Sequence, residues 1–263
     1  MDFSTIIFNE PESGIGVITL NRPHRLNAMD LNMVEELGAL FRRLSEHERV
    51  RVIIMAGAGR GFCSGADLKF FLEHPRFKAM VSSAGTMLIE VQKKYSNIIY
   101  EMRRLPQPII SVVNGSAAGA GMSIALASDM VIAGPRAGFT ASFINIGLSG
   151  GELGTSYFLP KLVGSSRAAE ILMTGRTVRA SEAERIGLIT RLVEEDHLMD
   201  TALETARKML AKSRLGLRLT KEALNQNQIA QSLEAALELE NRNQSICIAE
   251  SEFSAAVEAF NKR

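Results

Sequence analysis

Residues 111–129 read SVVNGSAAGAGMSIALASD, and the rest of the chain is organised around this stretch. The residues entering it, 108–113, form a short run rich in Ile and Val, the composition of a buried strand. The run ends at Asn114-Gly115, and Gly119-Ala120-Gly121 then precedes 122–127, which read as the start of a helix. Side chains are thus removed where a buried strand hands over to a helix. A ligand can approach the main chain there, and the first N–H groups of the helix have no partner inside it. Such a place suits an anion or a developing oxyanion. A P-loop would need a Lys after the glycines, and a dinucleotide fingerprint would need Gly at position 124, which is Ile. Nothing between Leu105 and Ser128 is charged, but Gly, Ala and Ser dominate, Pro106 and Pro108 flank the run and Asn114 interrupts it, unlike a Leu-rich membrane span.

The same design occurs upstream. Residues 57–68, GAGRGFCSGADL, carry four glycines, follow the apolar run 50–56 and lead toward a helix. Two such bends can offer two N–H donors to one carbonyl oxygen, the arrangement of an oxyanion hole. Glycine loops that are only turns fit the spacing equally well.

Working outward, 5–9 and 16–20 read as strands joined by a turn at 11–14, and Asp30 is a helix N-cap. Met33, Val34, Leu37, Leu40, Phe41 and Leu44 make one apolar helical face, and 50–56 return as a strand, giving a layered α/β pattern. Residues 70–104 read as a mobile segment, then an amphipathic helix ending before Pro106. Strands are expected at 130–133 and 139–140, and a helix at 168–173. A capping box at 181–184 opens a helix that Gly187 closes before a strand at 188–193. From 198 onward the chain reads as helices at 198–212, 219–228, 232–247 and 252–260. The expected division is a core over 1–197 and a helical region over 198–263.

The chain has 263 residues, 22% of them charged, with a net charge of +1 and no basic run, so nucleic acid is not an expected partner. Cys63 and Cys247 give no disulfide framework, and His24, His47, His74 and His197 are scattered without ligand spacing, so no metal site is expected. Met1-Asp2-Phe3 has neither signal-peptide nor transit-peptide character, and a cytoplasmic location is the expectation.

Between Met102 and Ala169 the carboxylates are Asp129, which reads as a loop or cap residue, and Glu152. Glu152 lies in the glycine-dense loop 147–155, GLSGGELGT. A lone carboxylate in an apolar pocket has a raised pKa and can act as acid or base near neutral pH. A solvated loop Glu, or a partner for the dipole of the next helix, fits the sequence as well. Residues 147–151 also match GxSxG, with Ser149 as nucleophile and His197 as the downstream His, but 143–146 make a poor strand and glycines follow. Cys63 in 61–65 reads as a small buried thiol.

Four motifs in order, Asn21-Arg22-Pro23 with Leu26-Asn27-Ala28, residues 61–68, residues 114–121, and Ala180-Ser181-Glu182-Ala183 with Gly187-Leu188, resemble the crotonase (enoyl-CoA hydratase/isomerase) superfamily over essentially the full chain. The resemblance implies an α/β fold, a spiral of ββα units followed by a C-terminal helical trimerisation region, assembled as trimers or hexamers. It implies an enzyme of fatty-acid degradation that holds a thioester enolate in an oxyanion hole, with coenzyme A as part of the substrate and no separate cofactor. By position, the amides of Ala66 and Ala120 form that hole. His24, Arg25 and Leu26 lie beside the nucleotide, Ala66, Asp67 and Leu68 near the pantetheine and adenine, and Phe260 and Lys262 close over the CoA of a neighbouring subunit.

The departures concern the chemistry. Hydratases of this type carry two catalytic carboxylates at positions that are Ser123 and Phe143 here. Glu152 falls instead where Δ3,Δ2-enoyl-CoA isomerases of the peroxisomal type, with a Pro-Glu-Gly-Cys-Ser-Ser-Tyr loop, keep a single catalytic Glu. The resemblance therefore points to an isomerase using Glu152 alone. A hydratase of the same superfamily is the alternative, and a non-catalytic CoA- or RNA-binding relative or a hydrolase on Ser149 are remoter ones.

Overall fold

The computed structural model describes residues 3–73 and 86–261. The expected mobile segment falls largely on 74–85, outside the described residues, as does His74. The hairpin β1 (Ile6–Glu12) and β2 (Ile15–Leu20) is antiparallel, with a bulge between Asn9 and Glu12 that lengthens β1 into the expected turn. Then come α1 (Leu31–Ser45), β3 (Val52–Gly57), α2 (Leu68–Glu73), α3 (Thr86–Arg104) and β4 (Ile109–Val113). β5 (Ser116–Ala118), α4 (Ala120–Ala127), β6 (Met130–Ala133) and β7 (Gly138–Thr140) follow. α5 (Thr155–Val163), α6 (Ser165–Thr174), β8 (Thr177–Arg179), α7 (Ala180–Arg185) and β9 (Arg191–Leu192) complete the core sequence of elements. The chain ends in α8 (Leu198–Leu210), α9 (Arg214–Asn227), α10 (Leu233–Ile248) and α11 (Ser251–Asn261).

A six-stranded sheet has the order β1-β2-β3-β4-β6-β9, parallel from β2 onward, and a three-stranded sheet has the order β5-β7-β8. β3 and β4 are apolar at consecutive positions because both faces of the sheet are covered. Met33, Leu37 and Phe41 of α1 pack on one face with Ile53, Met55 and Ile109. On the other face Ile54, Val52 and Val112 meet Leu198, Ala202 and Ala206 of α8. The expected division at 197/198 therefore cuts through packing, and α8 belongs to the core. Beyond it, α9 to α11 expose Leu224, Leu233, Leu237, Phe253, Val257 and Phe260.

Asp30 caps α1 as expected, its carboxylate accepting the Met33 N–H at 2.9 Å. The capping box does not form: α7 starts at Ala180, with Ser181 already inside it and no side-chain cap. The strand expected over 188–193 shrinks to β9, since Leu188 and Ile189 bond back to the Ala183 carbonyl instead. α9 starts earlier than the expected 219 because Ser213 caps it, accepting the Gly216 N–H at 3.1 Å. Asp129 is an anchor more than a cap. Its Oδ2 accepts from Lys221 Nζ at 2.8 Å and from the Ile109 N–H at 2.8 Å, while Oδ1 faces Arg103 at 3.3 Å. Lys221 also donates to the carbonyls of Met102 and Gln107, so this buried ammonium seats α9 on the core. A cavity of about 940 Å³ beside that seat is lined by Ile99, Arg103, Leu153, Tyr157, Phe158 and α9, with neither glycine bend in its wall.

Candidate active site

The first bend is held from within by Asn27, which is fully buried in a left-handed backbone conformation, φ +55°. Its amide nitrogen lies 2.9 Å from the Ala58 and Gly61 carbonyls and 3.2 Å from that of Phe62, and its oxygen accepts the Arg22 N–H at 2.9 Å. Downstream, Met29 and Ala66 form a parallel bridge: Met29 N–H donates to the Gly65 carbonyl at 2.7 Å, and Asp67 N–H to the Met29 carbonyl at 2.9 Å. In that pattern the N–H of Ala66 points the other way.

The second bend is laid against the first. Phe62 and Cys63 donate to the Ser116 carbonyl, Ala118 donates to that of Cys63, and Gly119 donates to that of Thr140 at 2.9 Å. Gly65, at φ +103°, lies so close that a Cβ on it would sit 3.0 Å from the Ala118 carbonyl oxygen and 3.6 Å from the Ala120 nitrogen. At Gly121 a Cβ would collide with the Cys63 carbonyl, so only glycine fits. α4 is buried along its whole length and begins at Ala120. Among the described residues, neither the Ala66 N–H nor the Ala120 N–H has an acceptor. Two backbone N–H groups without an acceptor among the described residues thus stand on adjoining bends, one in a pinned loop and one at a helix N-terminus.

One side chain expected at the CoA site behaves differently from the others. The Asp67 carboxylate is buried and turned onto Arg22 at 2.9 Å, with Asp30 on the same guanidinium nitrogen at 3.2 Å. Asp67 thus supports the bend through its side chain. His24 and Arg25 are exposed on the short 3-10 turn Pro23–Arg25. That turn is tied to the bend by Ser64, whose N–H donates to the Leu26 carbonyl at 3.0 Å. Leu68, two residues after Ala66, is 46% exposed. Phe260 lies on the exposed tail helix α11, and Lys262 is outside the described residues.

Ser123 is buried inside α4, its hydroxyl donating back to the Gly119 carbonyl at 3.3 Å. The Phe143 ring lies against Gly119, 3.4 Å from where a Cβ would be, and is 7% exposed. The positions that hold carboxylates in the two-Glu pattern are a back-bonded hydroxyl and an apolar wall.

Glu152 precedes α5. Its N–H donates to Thr155 Oγ1 at 3.0 Å, and Thr155 N–H returns to the Glu152 carbonyl at 3.0 Å, so the buried Thr155 fixes the backbone of the loop. The carboxylate Oε1 accepts from Gln92 Nε2 of α3 at 2.8 Å. Burial raises the Glu152 pKa above the ordinary carboxylate value, against the opposing pull of the Gln92 bond. Three residues along α3 from Gln92, the buried Tyr95 donates to the Met29 carbonyl at 2.7 Å, the backbone that bridges Ala66. Residues three apart on a helix are neighbours, so one face of α3 spans from the carboxylate to the first bend. Sequence reading missed Gln92 and Tyr95. Their partners lie 60 and 66 positions away, and no local pattern joins them.

Ser149 does not form a hydrolase site. Residues Ile144–Ile146 are a 3-10 turn and not a strand, Ser149 Oγ accepts the Gly151 N–H, and no bond joins it to His197 among the described residues. Cys63 is fully buried, and desolvation pushes its thiol up to about 12, so it is no thiolate nucleophile. Among the described residues no group of His, Cys, Asp and Glu could hold a metal, and no helix is long and apolar enough to cross a membrane.

The family model described as enoyl-CoA hydratase/isomerase matches residues 10–263. A probable enoyl-CoA hydratase of Mycobacterium leprae is 42% identical over 236 residues, covering 90% of this chain and 80% of its own length. A monofunctional enoyl CoA isomerase from M. smegmatis superposes with a TM-score of 0.74 at 40% identity, covering 89% of this chain and 98% of its own. An enoyl-CoA hydratase from the same organism superposes with a TM-score of 0.90 at 30% identity, covering 98% of this chain and 96% of its own. Relatives on both sides of the hydratase–isomerase division thus share this fold. The chain is an enzyme of the enoyl-CoA hydratase/isomerase family, in the crotonase superfamily.

Proposed function

We propose that this enzyme is a Δ3,Δ2-enoyl-CoA isomerase acting in fatty-acid degradation, with Glu152 as its single acid/base. The observation that carries the reading is the lone Glu152 carboxylate, its pKa raised by burial, where Ser123 and Phe143 supply no second carboxylate. The thioester oxygen sits between the Ala66 and Ala120 amides, so the charge that develops there meets two fixed donors. Glu152 takes a proton from C2. The C2–H electron pair moves toward the carbonyl and gives a dienolate, and the same carboxyl returns the proton at C4, leaving the double bond between C2 and C3. No cofactor enters, and coenzyme A arrives and leaves with the substrate.

His24, Arg25, Leu26 and Leu68 receive the CoA moiety around the first bend, with Asp67 holding that bend in shape. The exposed apolar side chains of α9 to α11 fit burial against further copies of this chain, as a trimer or hexamer in which Phe260 and Lys262 reach a neighbour's CoA. Hydration is the second reading, supported by relatives named hydratases. Mass spectrometry of the product decides between them. A 3-enoyl-CoA converted with no change in mass supports isomerisation, whereas a trans-2-enoyl-CoA that gains one water, with no isomerisation, would establish the hydratase.

A further inference from the structure

Gln92 lies outside the motifs that carry the family resemblance, yet its side-chain amide reaches the Glu152 carboxylate. Its N–H lies on Glu152 Oε1 at 2.8 Å, and among the described residues Oε2 has no partner. The Glu152 main chain is held separately by Thr155, so the Gln92 bond orients the carboxyl group and not the loop. α3 in turn is registered to the first bend through Tyr95 and Met29. We infer that Gln92 is a positioning residue that reserves Oε1, so that Oε2 alone collects the proton from C2 and delivers it to C4.

This rests on the isomerase reading and deepens it. A primary amide donates but does not take up or release a proton near neutral pH, so Oε1 stays an acceptor in both protonation states of the carboxyl. In the first step the C2–H bond breaks, its electrons enter the dienolate and the proton binds Oε2. In the second the Oε2–H bond breaks, the proton forms the C4–H bond and the carboxylate is restored. One oxygen serving both carbons keeps the transferred proton on one face of the substrate and away from water. The N–H bond also favours the ionised carboxyl, which offsets part of the effect of burial.

Gln92→Leu removes the donor at similar volume, and Gln92→Met is a second variant in case the first folds poorly. The substrate is a 3-enoyl-CoA carrying deuterium at C2, run to low conversion in ordinary water. The wild type is expected to retain deuterium at C4, and the variants to lose about half or more of that retention while kcat falls roughly tenfold. The Glu152 carboxyl, identified by an infrared band that Glu152→Gln abolishes, is expected to titrate about half to one pH unit higher in the variants. Retention and titration both equal to wild type would overturn the inference, even if kcat fell, because a merely structural Gln92 would move neither. If the wild-type enzyme isomerises nothing, the reaction reading fails by itself. The infrared titration then still decides whether Gln92 acts on Glu152, and an unshifted band overturns that.

Discussion

The two halves of the site are built by opposite means. The oxyanion half is main chain: two glycine bends laced by backbone bonds, an internal Asn27, and glycines at which a Cβ has no room. The proposed base half is a single carboxylate on a loop, held by one side-chain bond from Gln92, 60 positions earlier in the chain. The first half cannot change without changing the fold. The second can change by substitution alone, as Ser123 and Phe143 show: they fill the carboxylate positions of the two-Glu pattern and leave the bends intact. A scaffold of this kind fixes how the enolate is stabilised and leaves to a few side chains what becomes of it.

The comparison breaks most sharply at Gly121. Gly121→Ala drives a methyl into the Cys63 backbone carbonyl, which has no flexible end to move. We expect loss of soluble, cooperatively folded protein, measured by circular dichroism and thermal unfolding. A variant with wild-type stability would show that the bends are not locked as described. Glu152→Gln should do the reverse, leaving the fold intact and lowering turnover about 10²- to 10⁴-fold, as expected for removal of a general acid/base.

Arg22→Ala sharpens the account of the first bend. It removes the guanidinium that Asp67 and Asp30 share, and loss of one partner from a buried pair costs up to about 3–5 kcal/mol. Denaturant unfolding should show that loss, and an unchanged midpoint would remove Arg22 from the design. A smaller effect is electrostatic. Because the folded-state pKa of Glu152 is raised, its contribution to stability is fully present below the unfolded pKa and is lost as pH rises through the folded value. Glu152→Gln should therefore unfold at a higher temperature than wild type near pH 7, with the gap closing toward about pH 4. The kcat/KM for proton abstraction should rise with pH through a midpoint above that of an ordinary carboxylate.

The oxyanion half was legible in the sequence because its information is local. Residues 57–68 and 114–121 each join a strand to a helix through a run of glycines, and the two amides that the family resemblance names, those of Ala66 and Ala120, lie within those runs. Glu152 stood out because it is an isolated carboxylate in an apolar region. Gln92 was invisible because it is one polar residue on an amphipathic helix that carries many. The small sheet was missed for a related reason: β5 and β8 are three residues each, too short for a period of two to register. Asp67 read as a binding residue, but sequence cannot show that a carboxylate turns inward when its partner, Arg22, lies 45 positions away. Likewise 198–210 read as tail, since its helical period is the same whether the apolar face meets the sheet or another copy.

The most direct test of the central claim is the ultraviolet absorbance of the conjugated enoyl thioester, with 3-enoyl-CoA and trans-2-enoyl-CoA in separate cuvettes, for wild type, Ser123→Ala and Glu152→Gln. One carboxylate acting alone predicts a rise with the 3-enoyl substrate for wild type and Ser123→Ala, and none for Glu152→Gln. An undiminished rise for Glu152→Gln, or a fall with the 2-enoyl substrate that does not depend on Glu152, would contradict it.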